Sequence, residues 1–216
     1  MDLQSLPLPQ HFLIYYQKFS TLTPIQQKAI GGGLLGGASQ LVCAPTASGK
    51  TLIATMALVN ALERGGKAIY LVPLKALAGE KYKEYLALFN GTKYKVVVST
   101  SDIDSDSSYL AKYDVLILTT EKLDALLRHH ITWLGEVKTI IIDEIHLLND
   151  PKRGPTLEVV LTLLKTMIKA QLIGLSATIG NPKELAEWLG ATLIIDSWRP
   201  VELKSGICVD GKTEFY

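Results

Sequence analysis

The stretch APTASGKT, residues 44–51, differs from the phosphate-binding pattern G-x-x-x-x-G-K-[ST] only at its first position, where Ala44 replaces glycine. Gly49 keeps the place that lies closest to a bound phosphate. Ala44 stands where a preceding strand would end, and a negative φ there tolerates a methyl group. A chance Gly-Lys-Thr before a helix is the alternative, but the strand-like run before the loop and the helical pattern after it favour a nucleotide site.

The residues of such a loop have separate tasks. Backbone N–H groups converge on the phosphates, a lysine bridges the β- and γ-phosphates, and a threonine hydroxyl ligates Mg²⁺. Lys50 and Thr51 occupy the last two places, so we predict ATP and Mg²⁺ as cofactors. The residues of the loop that we expect to bind them are Thr46, Ala47, Ser48, Gly49, Lys50 and Thr51.

A second motif, IIIDEIH at residues 140–146, ends a strand-like run with two acids. Asp143 is placed to hold Mg²⁺, through water, and Glu144 is placed to orient or deprotonate an attacking water. An acid pair at a strand end is commonly only solvated, but its position downstream of a phosphate loop favours a role in metal binding and catalysis. We therefore assign catalysis to Lys50, Asp143 and Glu144.

A third strand-like run ends in GLSATIG, residues 174–180. Hydroxyls at a strand tip usually form turns or helix caps. Together with the other two motifs, Ser176 and Thr178 become candidates for sensing the γ-phosphate.

The layout of the chain predicts an α/β fold. Amphipathic helical segments alternate with runs that are apolar on both sides, a pattern typical of a mostly parallel sheet with helices on both faces. The runs are QLVCA (40–44), AIYLVP (68–73), YKVVVS (94–99), DVLILTT (114–120), TIIIDE (139–144) and QLIGLSA (171–177). After TLIID (192–196), two short pieces flank Asp210 and Gly211 and predict a β-hairpin. The polar stretch 99–109 is predicted to be a loop.

Composition sets limits on the class of protein. The 216 residues are 48% hydrophobic with a mean hydropathy of +0.22, as in an ordered globular domain. The net charge is only +1, so a nucleic acid would have to be met by local groups. Cys43 and Cys208 lack metal-type spacing, and Cys43 is expected to be a buried, reduced thiol. The absence of a basic leader and of a long apolar run leads us to expect a cytoplasmic protein with no membrane partner.

The order APTASGKT, DEIH, SAT resembles motifs I, II and III of superfamily 2 helicases. The spelling DEIH and the segment VPLKALAGEKY (72–82) are similar to the Ski-like DExH branch. The segments LLNDPKRGPTLE (147–158), LSATIGNPKELAEWLGA (175–191) and WRPVEL (198–203) resemble those of archaeal DNA-repair helicases that act at stalled forks and Holliday junctions. The resemblance covers roughly residues 5–216.

The resemblance implies the first RecA-like lobe of an ATP-dependent, 3′-to-5′ DNA helicase. Its partners would be single-stranded or forked DNA, bound largely independently of sequence, and a second RecA-like lobe with accessory domains. We expect residues 1–37 to form a helical segment with the adenine-recognition motif, 38–197 the lobe, and 198–216 the start of the connection to the second lobe. This chain alone should then bind ATP weakly, hydrolyse it poorly and unwind no duplex.

The resemblance also assigns residues that spacing alone does not. In LTPIQQKAI (22–30), Gln26 has the place of the glutamine that recognises adenine, and His146 joins Ser176 and Thr178 as a coupling residue. The family often has Thr-Gly-Asp where this chain has Thr100, Ser101 and Asp102, and the missing glycine argues against a close backbone approach to nucleic acid there. The residues implied to contact nucleic acid are Pro73, Leu74, Lys75, Thr120, Glu121 and Lys122.

Three alternatives stay open from the residues. Phosphate contacts barely distinguish DNA from RNA, so an RNA helicase lobe of the same branch is one of them. A P-loop kinase shares the loop but does not explain DEIH followed by SAT. A non-catalytic nucleic-acid-binding module would not need Lys50, Thr51, Asp143 and Glu144 all intact.

Overall fold

The computed structural model describes residues 1–100, 108–129, 131–202, 206–209 and 212–215. Its helices are α1 (Gln10–Tyr15), α2 (Pro24–Gly31), α3 (Lys50–Glu63), α4 (Lys75–Leu88), α5 (Thr120–Arg128), α6 (Gly154–Met167) and α7 (Pro182–Leu189). Its strands are β1 (Gln40–Cys43), β2 (Lys67–Val72), β3 (Val96–Ser99), β4 (Val115–Thr119), β5 (Val137–Ile142), β6 (Gln171–Ser176), β7 (Thr192–Ile195), β8 (Gly206–Val209) and β9 (Lys212–Phe215). The six apolar runs form β1 to β6, and TLIID supplies β7.

One sheet organises the described part of the chain. Its strand order is β3-β4-β2-β5-β6-β1-β7, and every neighbouring pair is parallel, which confirms the predicted α/β class. Parallel strands deliver their carboxyl ends to one edge of the sheet. The loop after β1, the acid pair after β5 and the hydroxyls after β6 therefore lie on adjacent strand ends.

Helices cover both faces of the sheet because alternate residues of each strand point to opposite sides. In β2, Tyr70 belongs to the cluster that includes α3 and α4, whereas Ile69 and Leu71 belong to the cluster with α5, α6 and α7. Leu3 and Phe12 of the N-terminal segment are fully buried in the first cluster. The expected division of the chain near residue 37 stays a prediction.

The C-terminus of α3 explains a glycine pair in the sequence. Gly65 has φ 74° and its N–H donates to the Leu62 carbonyl, while the Gly66 N–H donates to the Ala61 carbonyl. These two bonds form a Schellman cap, in which the left-handed residue is normally glycine. Gly65 and Gly66 therefore end α3.

Three further sequence predictions concern the C-terminal hairpin, the stretch after β3 and Cys43. Strands β8 and β9 pair antiparallel, so the predicted hairpin is present, although Asp210 and Gly211 at its turn lie outside the described residues. Ser101 and Asp102, where the chain departs from the family pattern, also lie outside them. Cys43 is buried as a free thiol, and burial raises its pKa to about 11.

Two glycines allow a matched test of this packing. Gly154 is buried at the start of α6, and a Cβ there would overlap the backbone carbonyl of Leu148. We expect Gly154→Ala to lower the free energy of unfolding by about 1–3 kcal/mol, as for other overpacked sites. Gly79 is exposed in α4 with open space around it, so Gly79→Ala should raise that energy by up to about 1 kcal/mol. Urea unfolding checks both, and equal effects of the two changes would contradict the packing described here.

Candidate nucleotide site and adjoining nucleic-acid edge

The loop from 44 to 51 joins β1 to α3 in the conformation that an anion site requires. Ala47 has φ 65° and Gly49 has φ 94°, both in the left-handed region, whereas Ala44 keeps the expected negative φ. A Cβ on Gly49 would collide with the side-chain amide of Gln26. Glycine is therefore required at 49 and dispensable at 44, which explains why the altered pattern still forms the loop.

Lys50 holds its ammonium at the mouth of this loop. Its Nζ donates to the carbonyl oxygens of Ala44 and Pro45, at 2.6 and 2.9 Å. Burial lowers the pKa of Lys50, and the nearby Glu144 and Asp143 carboxylates oppose that shift. An ammonium has three donors, so one remains for a phosphate oxygen.

Gln26 supports the phosphate loop from behind. Its Oε1 accepts from the Thr23 N–H at 2.9 Å in the capping box of α2, and its Nε2 donates to the Gly49 carbonyl at 3.0 Å. The Thr23 hydroxyl donates to the Ser48 carbonyl at 2.9 Å. Gln26 is thus a buried neighbour of the loop, and its role toward adenine stays a prediction.

The acid pair follows β5 at the same edge. Asp143 Oδ1 accepts from the Glu144 N–H at 3.1 Å, and Asp143 Oδ2 accepts from the Tyr70 hydroxyl at 3.0 Å. Burial, followed by nearby Tyr85 and Asp143, raises the pKa of Tyr70 well above its usual value, so its hydroxyl is a donor. Glu144 has φ 51°, a left-handed conformation that side chains rarely adopt outside functional sites. Two hydrogen bonds therefore orient the Asp143 carboxylate, and the backbone of Glu144 is held in an uncommon conformation.

The loop and the acid pair enclose one cavity of about 290 Å³. Thr51 and Asp143 both line it, so a hydroxyl and a carboxylate, the hard oxygen donors that Mg²⁺ prefers, face the same space. The donor set fits that ion. The predicted residues that line the cavity are Thr46, Ala47, Gly49, Lys50, Thr51, Asp143 and Glu144.

The three coupling candidates lie around this cavity rather than in it. The Ser176 hydroxyl is fully buried beneath the loop with no hydrogen-bond partner, and the Ser176 carbonyl accepts from the Ala44 N–H. Thr178 lines a neighbouring cavity of about 300 Å³ together with Arg199. His146 Nδ1 lies 3.2 Å from Glu144 Oε2 without hydrogen-bond geometry.

Segments that follow β2 and β4 meet beside the acid pair. Pro73, Thr120 and Glu121 line a small crevice that also borders Asp143 and Arg153. Leu74 is 48% exposed, and Lys75 is exposed at the start of α4. These five predicted contact residues therefore occupy the same edge as the nucleotide cavity.

Lys122 departs from its sequence assignment. Its side chain is only 2% exposed, and its N–H donates to the Thr119 hydroxyl that caps α5. A buried ammonium cannot reach a phosphate on the surface, so we remove Lys122 from the predicted contacts. Its position on the inner side of α5 was not visible from the short pattern TTEKL.

Sequence reasoning also missed two residues. Arg199 lies by sequence in the expected connecting segment 198–216, yet it lines the cavity next to Thr178 and Pro45. The sequence pattern marks Tyr70 only as part of a buried strand, although its hydroxyl contacts Asp143. The signal for Tyr70 was present, because a tyrosine in an otherwise aliphatic buried strand must find a partner for its hydroxyl.

A phosphate loop and a strand-end acid pair on one edge of a parallel sheet define a RecA-like P-loop nucleotide hydrolase domain. Within that class, a sequence model described as DEAD/DEAH box helicase matches residues 23–185. The match covers most of the chain, so the protein belongs to the DEAD/DEAH box helicase family. Curated relatives of the chain are described as ATP-dependent.

The chain is 51% identical over 203 residues to ATP-dependent DNA helicase Hel308 of Pyrococcus horikoshii, covering 90% of this chain and 28% of that one. It is 52% identical over 201 residues to the Hel308 of Methanocaldococcus jannaschii, covering 90% and 17%. The crystal structure of the DUF1998 helicase MrfA bound to DNA superposes with a TM-score of 0.72 at 26% identity, covering 88% and 30%. The chain thus spans less than a third of the length of these relatives. In the described residues, no helix has the length and apolar character needed to span a membrane.

Replacement of Lys50 tests the loop. We expect Lys50→Ala to weaken ATP binding at least about tenfold, because hydrogen bonds to charged groups contribute about 1.5–3 kcal/mol. Calorimetric titration measures the affinity, and a melting curve checks that the fold survives. Lys138→Ala removes an exposed lysine charge at the start of β5, on the opposite edge, and should leave ATP affinity unchanged. Equal affinities for the two variants would remove this loop from the nucleotide site.

Proposed function

We propose that the chain is the ATP-binding motor lobe of a 3′-to-5′ DNA helicase that acts in repair at stalled forks. The observation that carries the proposal is the shared edge. The phosphate loop and the acid pair enclose the 290 Å³ cavity, and Asp143 also borders the crevice formed by Pro73, Thr120 and Glu121. A helicase motor must couple nucleotide hydrolysis to movement along the nucleic acid. Two sites that share Asp143 at one edge of the sheet can be coupled directly.

The chemistry of the site follows from the placement of its charges. Lys50 offsets the negative charge of the β- and γ-phosphates, and Glu144 accepts the proton of the attacking water. Thr51 and Asp143 would hold Mg²⁺, which supplies further positive charge to the phosphates when bound. The His146 ring lies beside the Glu144 carboxylate, so a change at that carboxylate during hydrolysis can be transmitted to the turn that contains His146.

The proposed track runs across the ends of β2 and β4. Lys75 offers a positive charge, and the first turns of α4 and α5 offer N–H groups to phosphates. Such contacts carry no base information, so binding should be largely independent of sequence. We assign DNA rather than RNA because the Hel308 relatives and MrfA are described as acting on or binding DNA.

The same proposal accounts for a second lobe. The relatives are more than three times as long as the region that this chain matches. Phosphoryl transfer gains about 10³- to 10⁵-fold from an arginine supplied across a cleft. Translocation also needs two lobes that close and open. The lobe alone is therefore expected to hydrolyse ATP poorly and to unwind no duplex.

Glu144→Gln tests the catalytic assignment. The amide keeps the shape of the side chain but cannot accept a proton, so ATP binding should persist. Hydrolysis by the two-lobe protein should fall by about 10²-fold or more, as for other lost general bases. Phosphate release measures the rate, with Glu158→Gln on the exposed face of α6 as the control. Hydrolysis at the unmodified rate by Glu144→Gln would exclude Glu144 from the mechanism.

Lys75→Ala tests the proposed track. A lost phosphate contact should weaken binding of single-stranded DNA equally for unrelated sequences and lower the slope of log K against log salt by about 1. Fluorescence anisotropy at several salt concentrations measures this, with Lys138→Ala as a charge-matched control on the opposite edge and RNA of the same sequence as a comparison. A loss confined to one sequence, or an identical loss in Lys138→Ala, would argue against a track at this edge.

A further inference from the structure

Tyr70 lies at the centre of β2, and its side chain is fully buried. Tyr70 pairs in register with Ile141 of β5, so Asp143, two residues further on, continues from the same face of the sheet. The Tyr70 hydroxyl donates to Asp143 Oδ2 at 3.0 Å, while the Glu144 N–H donates to Oδ1 at 3.1 Å. Each carboxylate oxygen thus has one fixed donor, and rotation of the carboxylate would break both hydrogen bonds.

Helix α4 holds the Tyr70 ring in place. The Tyr85 ring centroid lies 5.7 Å from that of Tyr70, and the Lys81 ammonium lies 5.6 Å from the Tyr70 ring centroid. Lys81 is itself paired with Glu84 at 2.8 Å. The hydroxyl of Tyr70 therefore has a defined position, because its ring is packed by a helix and not only by its own strand.

Helix α4 also contacts α3, the helix that begins with the phosphate-loop residues Lys50 and Thr51. The Thr55 hydroxyl donates to the Thr51 carbonyl at 2.9 Å and lies 3.3 Å from the Tyr85 hydroxyl. Since the Thr55 proton is used toward Thr51, Tyr85 is the donor of that second bond. Tyr70 therefore contacts Asp143 directly, whereas Tyr85 contacts Thr55, one turn after Thr51 in α3.

We infer that Tyr70 is a positioning residue that fixes the Asp143 carboxylate for Mg²⁺–nucleotide binding, with α4 as its support. The inference rests on the proposed function of this site. A donor to a carboxylate that holds the ion through water sets the plane in which its remaining lone pairs point, and loss of such an outer contact typically costs 10- to 100-fold in metal affinity. Helix α4, which packs against Tyr70, begins at Lys75, the residue proposed to contact nucleic acid. The helix that supports Asp143 therefore also carries part of the proposed nucleic-acid surface.

Tyr70→Phe removes the hydroxyl and keeps the ring. The affinity of the chain for a fluorescent ATP analogue is measured with Mg²⁺ and with excess chelator, and the ratio of the two affinities is the Mg²⁺-dependent gain. We expect Tyr70→Phe to reduce this gain about tenfold, with the affinity in chelator within about twofold of the unmodified chain. Tyr94→Phe, which removes a hydroxyl that donates to Glu63 far from the site, is the matched control and should leave the gain unchanged.

The outcomes separate the inference from the proposal beneath it. An unchanged gain in Tyr70→Phe, while Asp143→Ala abolishes it, would overturn the role of Tyr70 and leave the proposed function intact. A loss of affinity in chelator together with a lower melting temperature would show a merely structural role and would also overturn it. If the unmodified chain shows no Mg²⁺-dependent binding, the proposed function fails and the inference falls with it.

Discussion

All strands of the main sheet run in one direction, and the site depends on that constraint. The phosphate loop, the acid pair, the buried Ser176 and the segments after β2 and β4 are far apart in sequence. They become neighbours because each follows the carboxyl end of a strand in the order β4-β2-β5-β6-β1. A single antiparallel strand in this stretch would send one of these segments to the opposite edge.

The fold was predictable because its signals are local and repeated. Buried strands alternating with amphipathic helices, a glycine pair after α3 and a loop with Gly49 in place each encode structure over a few residues. The residues of the nucleotide cavity followed from the same motifs. The orientations of single side chains could not be predicted, because they depend on packing between distant segments. Lys122 is buried, Gln26 donates a hydrogen bond to the Gly49 carbonyl, and Tyr70 donates one to a carboxylate 73 residues away.

Rigidity of the site has an energetic cost that the surrounding structure offsets. Among the described residues, Ala47 and Glu144 are the two non-glycine residues with positive φ, and both line the nucleotide cavity. Such conformations cost on the order of 1–3 kcal/mol each and persist only where neighbours hold them. Thr23 and Gln26 hold the loop from one side, and the hydrogen bond from Tyr70 holds the residue before Glu144. The site is in this sense prepared before any ligand binds.

The central claim is that one edge of the sheet binds both the nucleotide and the nucleic acid. Chemical-shift mapping of backbone amides in the ¹⁵N-labelled chain tests it most directly, with a Mg²⁺–ATP analogue added first and single-stranded DNA second. The account predicts nucleotide-induced shifts at 46–51 and 143–144, and DNA-induced shifts at 73–75 and 120–121. Shifts concentrated instead around Arg64, Lys138 and Lys169, at the amino-terminal edge of the strands, would contradict it.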